Sequence, residues 1–236
     1  MTVELAGLHY FDDRKSANAA LADKIAQNLS QAIEERNKAS LWVSGGSTPM
    51  DMYRQLSTEH IDWQNVLISM VDERYVPPTD EASNERLIKE NLLMNAADDA
   101  EFIPFFQVTS SPEDNKKMLE KTLREKVHGA LDVVVLGMGN DGHTASLFPC
   151  AKEIEDAVSA ENSEYTAVTH PRVAPHPRLT LTLNRLLASR HVYLLLFGEE
   201  KLNTLKKAEQ DGEEIDMPIR YFLRNESPRL EIFWAP

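Results

Sequence analysis

Cysteine is almost absent from this chain: Cys150 stands alone among 236 residues. That excludes an internal disulfide and any metal site built from cysteines. Cys150 also follows Pro149 with no helix N-terminus behind it, so it reads as a small incidental residue rather than a reactive thiol. Positive charge is short as well, with 25 lysines and arginines against 38 acidic residues and a formal net charge of −13. No basic stripe is available to neutralise phosphates, so neither nucleic acid nor an anionic membrane surface is expected as a partner. A small anionic substrate stays open, because a phosphate monoester needs only two or three local cations and some backbone N–H donors. No apolar run approaches the ~20 residues of a membrane span. The N-terminus is polar within four residues and lacks the charged-then-apolar order of a signal peptide. A reducing, cytoplasmic location is expected. The seven histidines show no metal-ligand spacing, so no metal is expected.

What the chain does contain suits one α/β domain spanning residues 1–236, with 42% hydrophobic residues to fill its core. A short strand is expected over residues 3–9. Leu21, Ile25, Leu29 and Ile33 recur every four residues and predict a helix from about Asp13 to Arg36, with Asp12 or Asp13 as N-cap. Apolar runs at 39–43, 66–71, 133–136 and 191–197 read as buried strands, and Tyr165–Thr169 and Leu230–Trp234 as further ones. Leu179–Leu183 alternates with period two and predicts another. Helices are expected over 84–94, 112–127, 199–209 and 217–224. Strands alternating with helices imply a mostly parallel sheet with helices on both faces.

Glycine is sparse, and its placement therefore carries information. Five of the nine glycines fall in two turns, each directly after an expected strand. In the first, Ser44, Gly45, Gly46, Ser47 and Thr48 lead through Pro49 into a helix. Hydroxyls and backbone N–H groups at a helix start can cradle a phosphate; an ordinary tight turn capped by Ser47 or Thr48 explains the same residues. It is not a Walker loop, since no Gly-Lys-Ser/Thr follows. Nor is it a hydrolase nucleophile elbow, because position 42 is tryptophan where Gly-x-Ser-x-Gly needs glycine.

The second turn holds Gly137, Gly139 and Gly142 and delivers Asp141 and His143 at the carboxyl edge of a strand, where ligands bind in open α/β sheets. Thr144 is expected to open a short helix ended by Pro149. The spacing matches Gly-x-Gly-x-x-Gly literally, but a helix cut to two turns does not fit the crossover of a dinucleotide site. An imidazole in that position suits a general base near neutral pH. His170 and His176, each before a proline, are candidates to face the same cleft. Asp72, Glu73 and Arg74 end an apolar strand and read equally well as a solvated strand end. Arg178 opens the alternating strand and Lys201 starts a helix after Gly198; each alone reads as a surface charge.

Taken together, S-G-G-S-T-P (44–49), D-E-R-Y-V-P with S-N (72–77, 83–84), G-M-G-N-D-G-H-T-A-S-L-F-P (137–149), P-R-L-T-L-T (177–182) and G-E-E-K (198–201) resemble the 6-phosphogluconolactonase family over nearly the whole chain. The resemblance implies a Rossmann-like α/β fold shared with glucosamine-6-phosphate deaminases, no cofactor, and a small-molecule sugar phosphate lactone as substrate. It implies hydrolysis of 6-phosphoglucono-1,5-lactone in the pentose phosphate pathway by a monomer or homodimer. His143 would then activate water for attack at C1, oriented by Asp141 or Asp72. N–H groups of the 137–142 turn or a nearby cation would meet the oxyanion. Arg178, Lys201 and the 44–48 loop would hold the 6-phosphate, with Arg74 on the phosphate or sugar side. The deaminases resemble the chain at both glycine turns but carry a catalytic glutamate where this chain has Phe148, which favours the lactonase. A sugar-phosphate-binding regulator is the non-enzymatic alternative; it would have no need of His143 in an exposed turn.

Overall fold

The computed structural model describes residues 6–236. Its first strand, β1 (Leu8–Tyr10), overlaps the end of the one expected over 3–9, of which residues 3–5 lie outside the described residues. Helix α1 (Arg14–Arg36) starts where Asp13, in extended backbone, accepts the Ser16 N–H at 2.7 Å. It stops where Asn37 turns left-handed at φ 57°. Between these caps the four-residue spacing holds: Leu21, Ile25 and Leu29 are buried along one stripe. Strands β2 (Ala39–Val43), β3 (Val66–Met70), β4 (Asp72–Arg74), β5 (Glu101–Phe102), β6 (Leu131–Leu136), β7 (Thr166–Thr169), β8 (Arg178–Leu181), β9 (Ser189–Phe197) and β10 (Leu230–Ala235) follow. They are interspersed with helices α2 (Met50–Leu56), α3 (Asn84–Asn91), α4 (Pro112–Lys126), α5 (Ile154–Ala157), α6 (Leu183–Leu187), α7 (Glu199–Glu209) and α8 (Ile219–Leu223). None of the described helices is long and apolar enough to cross a membrane.

Seven strands form one parallel sheet in the order β1-β10-β9-β6-β2-β3-β5, with helices on both sides as expected. Every residue of β2 and β6 is buried, as two covered faces require. From β2 the chain winds outward through β3 to β5; from β6 it winds the other way through β9 to β10. The switch point therefore lies between β2 and β6, and an open α/β sheet binds its ligand at the carboxyl ends there. Val43 pairs with Val135, so both strands end together, and each runs straight into one of the two glycine turns.

A second sheet departs from the expected pattern. β4, β8 and β7 pair antiparallel, with Asp72 opposite Thr180, Glu73 opposite Leu179 and Arg74 opposite Arg178. The charged triplet is thus not a solvated strand end: Asp72 is 7% and Glu73 0% exposed. The short helix expected from Thr144 to Pro149 is also absent. Ala145 takes a left-handed φ of 48°, and the backbone polar groups that a helix would use are engaged elsewhere. The Ser146 N–H donates to Thr180 Oγ1 at 3.2 Å and the Ser146 carbonyl accepts Thr169 Oγ1–H at 3.0 Å. The segment is stitched to the small sheet instead, which carries Ser146 and Phe148 into the cleft.

Candidate active site

The two glycine turns, the end of β4 and the start of β8 enclose an open cleft of about 740 Å³. His143 stands on its wall, held by its own turn. Asp141 Oδ1 lies 2.5 Å from His143 Nδ1 and also accepts the His143 backbone N–H at 3.1 Å. Burial works to raise the Asp141 carboxyl, but the hydrogen bond and charge interaction with His143 outweigh it and leave it below the ordinary carboxylate range. An ionised carboxylate only accepts, so Nδ1 carries a proton, and in the neutral ring the lone pair falls to Nε2. Gly139 makes room for this ring: a Cβ there would lie 2.2 Å from both Nδ1 and Cε1 of the imidazole. Asp72, the other candidate aspartate, accepts the Ser146 hydroxyl at 2.5 Å.

The turn is closed by its own hydrogen bonds. The Gly139 N–H donates to the His143 carbonyl at 2.9 Å and the Gly142 N–H to the Gly139 carbonyl at 3.1 Å. Those two groups are therefore engaged, and an oxyanion would have to draw on other donors. Lys201, from the first turn of α7, donates from Nζ to the Met138 carbonyl at 2.8 Å, which places its ammonium beside the same turn. Burial pulls that ammonium below its ordinary value, against the attraction of Glu200 and Asp141.

Across the cleft, the 44–48 loop is braced by Tyr53, whose buried hydroxyl donates to the Ser44 carbonyl at 2.6 Å. The capping reading of this loop fails, because α2 begins only at Met50 and Pro49 is its cap residue, with no side-chain cap bond. Ser47 and Thr48 keep their hydroxyls free of that role, and Ser44 Oγ is buried with no partner among the described residues. Gly45 is needed for a neighbour: a Cβ would lie 1.9 Å from Asn84 Oδ1. Asn84 in turn donates from Nδ2 to the Asp72 carbonyl at 2.8 Å, which ties the loop to β4.

Beneath Asn84, Glu73 anchors the start of α3. One oxygen accepts the N–H groups of Arg74 (2.7 Å) and Asn84 (2.8 Å); the other accepts the Glu85 N–H (2.7 Å) and the Ser83 hydroxyl (3.1 Å). Burial nevertheless pushes this carboxyl from 4.5 up to about 7, with the N–H donors opposing. A carboxyl raised in the folded state contributes stability that is full below its unfolded value and lost as pH rises through the folded one. Glu73→Gln cannot ionise, so the variant should gain on the wild type in thermal midpoint as pH rises from 4.5 to about 7. Melting both proteins across that range checks it. A gap widening in the wild type's favour would mean that the four donors, not burial, govern the group.

Arg74 and Arg178 face each other across the β4–β8 ladder. Like charges opposite one another are unfavourable, and here the strain is partly relieved by Asp72 beside them. Arg178 is 5% exposed, not a surface charge. Burial lowers its guanidinium from the usual value, Asp72 opposes that, and Arg74 adds to it. Arg178 donates to the Pro175 carbonyl at 3.1 Å and Arg74 to the Ala82 carbonyl at 2.5 Å, while the Nε of each is buried without a partner among the described residues.

All eleven site residues expected from the sequence line this cleft or its turns: Ser44 to Thr48, Asp72, Arg74, Asp141, His143, Arg178 and Lys201. His170 and His176 do not. His170 pairs with Glu153 at 3.0 Å and His176 is exposed, while Val173 and Ala174 of their loop reach the cleft instead. Asn84 and Ser146 join the site without having been expected there; the Ser-Asn pair at a helix start is the only signal for the first, and nothing local marks the second.

Residues 12–234 match the family model described as glucosamine-6-phosphate isomerases/6-phosphogluconolactonase. A 6-phosphogluconolactonase of Rhizobium meliloti is 40% identical over 231 residues, covering 98% of this chain and 99% of that one. One from Neisseria meningitidis is 38% identical over 233 residues, with 96% and 98% covered. The crystal structure of a 6-phosphogluconolactonase from Shewanella baltica superposes with a TM-score of 0.94 at 41% identity, covering 97% of each chain.

Proposed function

This chain belongs to the glucosamine-6-phosphate isomerase/6-phosphogluconolactonase family, and from that premise we propose that it hydrolyses 6-phosphoglucono-1,5-lactone to 6-phosphogluconate with His143 as general base. What supports the reading is one arrangement: an imidazole oriented by Asp141 shares a cleft with two opposed guanidinium groups. Nε2 takes a proton from water, and the oxygen attacks C1 of the lactone. The tetrahedral oxyanion is met by N–H groups of the 137–142 turn other than those of Gly139 and Gly142, or by a neighbouring cation. As the C1–O bond to the ring oxygen breaks, the imidazolium returns its proton to that oxygen and the ring opens. Asp141 stays ionised throughout and keeps the ring in the tautomer that presents Nε2. Arg178, Lys201 and the 44–48 loop hold the 6-phosphate, with Arg74 beside it. Binding energy gathered there fixes C1 over the base.

Proton release from freshly made 6-phosphoglucono-1,5-lactone, corrected for spontaneous hydrolysis, tests this directly. A parallel reaction holds glucosamine 6-phosphate with an ammonia readout. Acid release without ammonia is expected. Ammonia would instead mark a deaminase, and silence in both reactions with tight sugar-phosphate binding would mark a binding protein.

A further inference from the structure

We propose that Phe148 is a positioning residue for the His143 imidazole, holding it by stacking in the one orientation that sends Nδ1 to Asp141 and Nε2 to the cleft. The two rings lie 3.9 Å apart between centroids with their planes 25° from parallel. Phe148 is itself anchored, 5% exposed in the stitched segment that ends at Pro149. The imidazole is thereby bounded three ways. Asp141 meets Nδ1, the bare backbone of Gly139 lies against the Nδ1–Cε1 edge, and Phe148 covers a face. A hydrogen bond to a single atom leaves a ring free to pivot about it. A flat aromatic surface stacked against its face removes that freedom. The Asp141 contact alone would fix the tautomer but not the tilt.

The same ring also touches the far side of the cleft, since the Arg178 guanidinium carbon lies 5.8 Å from the Phe148 centroid. Two roles are therefore separable by kinetics. A ring that positions the base affects turnover of the phosphorylated lactone and of glucono-1,5-lactone alike; a ring that merely seats Arg178 affects the phosphorylated substrate alone.

The kinetic half of the inference rests on the lactonase reading; the magnetic-resonance half does not. In the wild type, the Nδ1–H proton of His143, assigned by its loss in His143→Ala, should lie far downfield because it is bonded to Asp141. Phe148→Leu keeps an apolar side chain without an aromatic face and should shift that signal upfield or abolish it as the imidazole pivots off Asp141, while Phe148→Tyr should retain it. On the phosphorylated lactone, Phe148→Leu should lower kcat by about 10- to 100-fold, the range expected when a reacting group is misplaced. KM should stay within about threefold, and Phe148→Tyr should recover most of the turnover. An Nδ1–H signal that stays far downfield in Phe148→Leu, or a loss of activity confined to the phosphorylated lactone, would overturn the proposal. If the wild type fails to hydrolyse the lactone, the functional reading falls, and the resonance comparison still decides whether Phe148 holds His143.

Discussion

Replacing His143 with alanine is expected to lower kcat on 6-phosphoglucono-1,5-lactone by about 10²–10⁴-fold, the usual contribution of a general base, with KM nearly unchanged. The expectation follows from where the imidazole stands. Its Nδ1 is engaged by a carboxylate held ionised, so the ring has one nitrogen left for the reaction, and that nitrogen is the basic one. The groups assigned to the phosphate, Arg178, Lys201 and the 44–48 loop with Arg74 beside them, belong to other elements and should bind substrate as before. Residual activity should reflect that retained binding together with any oxyanion donors. Steady-state proton release from both proteins gives the two constants separately. Near-normal kcat in the variant would remove His143 from the mechanism, and a large rise in KM with normal kcat would make it a binding group.

Much of this site is legible in the sequence because its parts are local. A β-branched run that ends in clustered glycines announces a buried strand delivering a flexible turn, and the parallel sheet places two such turns side by side at the switch point between β2 and β6. Helix α1 is legible for the same reason: Asp13 caps it and the Leu21–Ile25–Leu29 stripe has one period. What is not legible depends on partners distant in sequence. Nothing near Asp72, Glu73 and Arg74 says that residues 178–180 will pair with them, so buried charges look solvated. The 144–149 segment reads as a short helix ended by Pro149, yet Thr169 and Thr180 take its backbone polar groups and Asp72 takes its Ser146 hydroxyl. The choice between Asp141 and Asp72 stays open in the sequence for a related reason. Spacing puts Asp141 two residues from His143 but cannot show that Asp72 accepts the Ser146 hydroxyl instead.

Arg178→Ala should lower kcat/KM for the phosphorylated lactone by about 10- to 150-fold, the equivalent of one charge-assisted hydrogen bond at about 1.5–3 kcal/mol. On glucono-1,5-lactone, which has no phosphate, the same substitution should change little. The burial of Arg178 opposite Arg74 is what makes the contrast informative. Two facing guanidinium groups present positive charge that would attract a dianion placed between them, and each has a buried Nε without a partner among the described residues. If the phosphate serves only to bind, the loss will sit in KM. If its binding energy also fixes C1 over His143, kcat will fall with it, again only on the phosphorylated substrate. Inorganic phosphate supplies the control that involves no chemistry: it should inhibit the wild type competitively and the variant far less. Equal losses on both lactones would mean that Arg178 supports the cleft rather than the phosphate. In that case the contact of its guanidinium with Phe148 becomes the better account of why a buried arginine stands there.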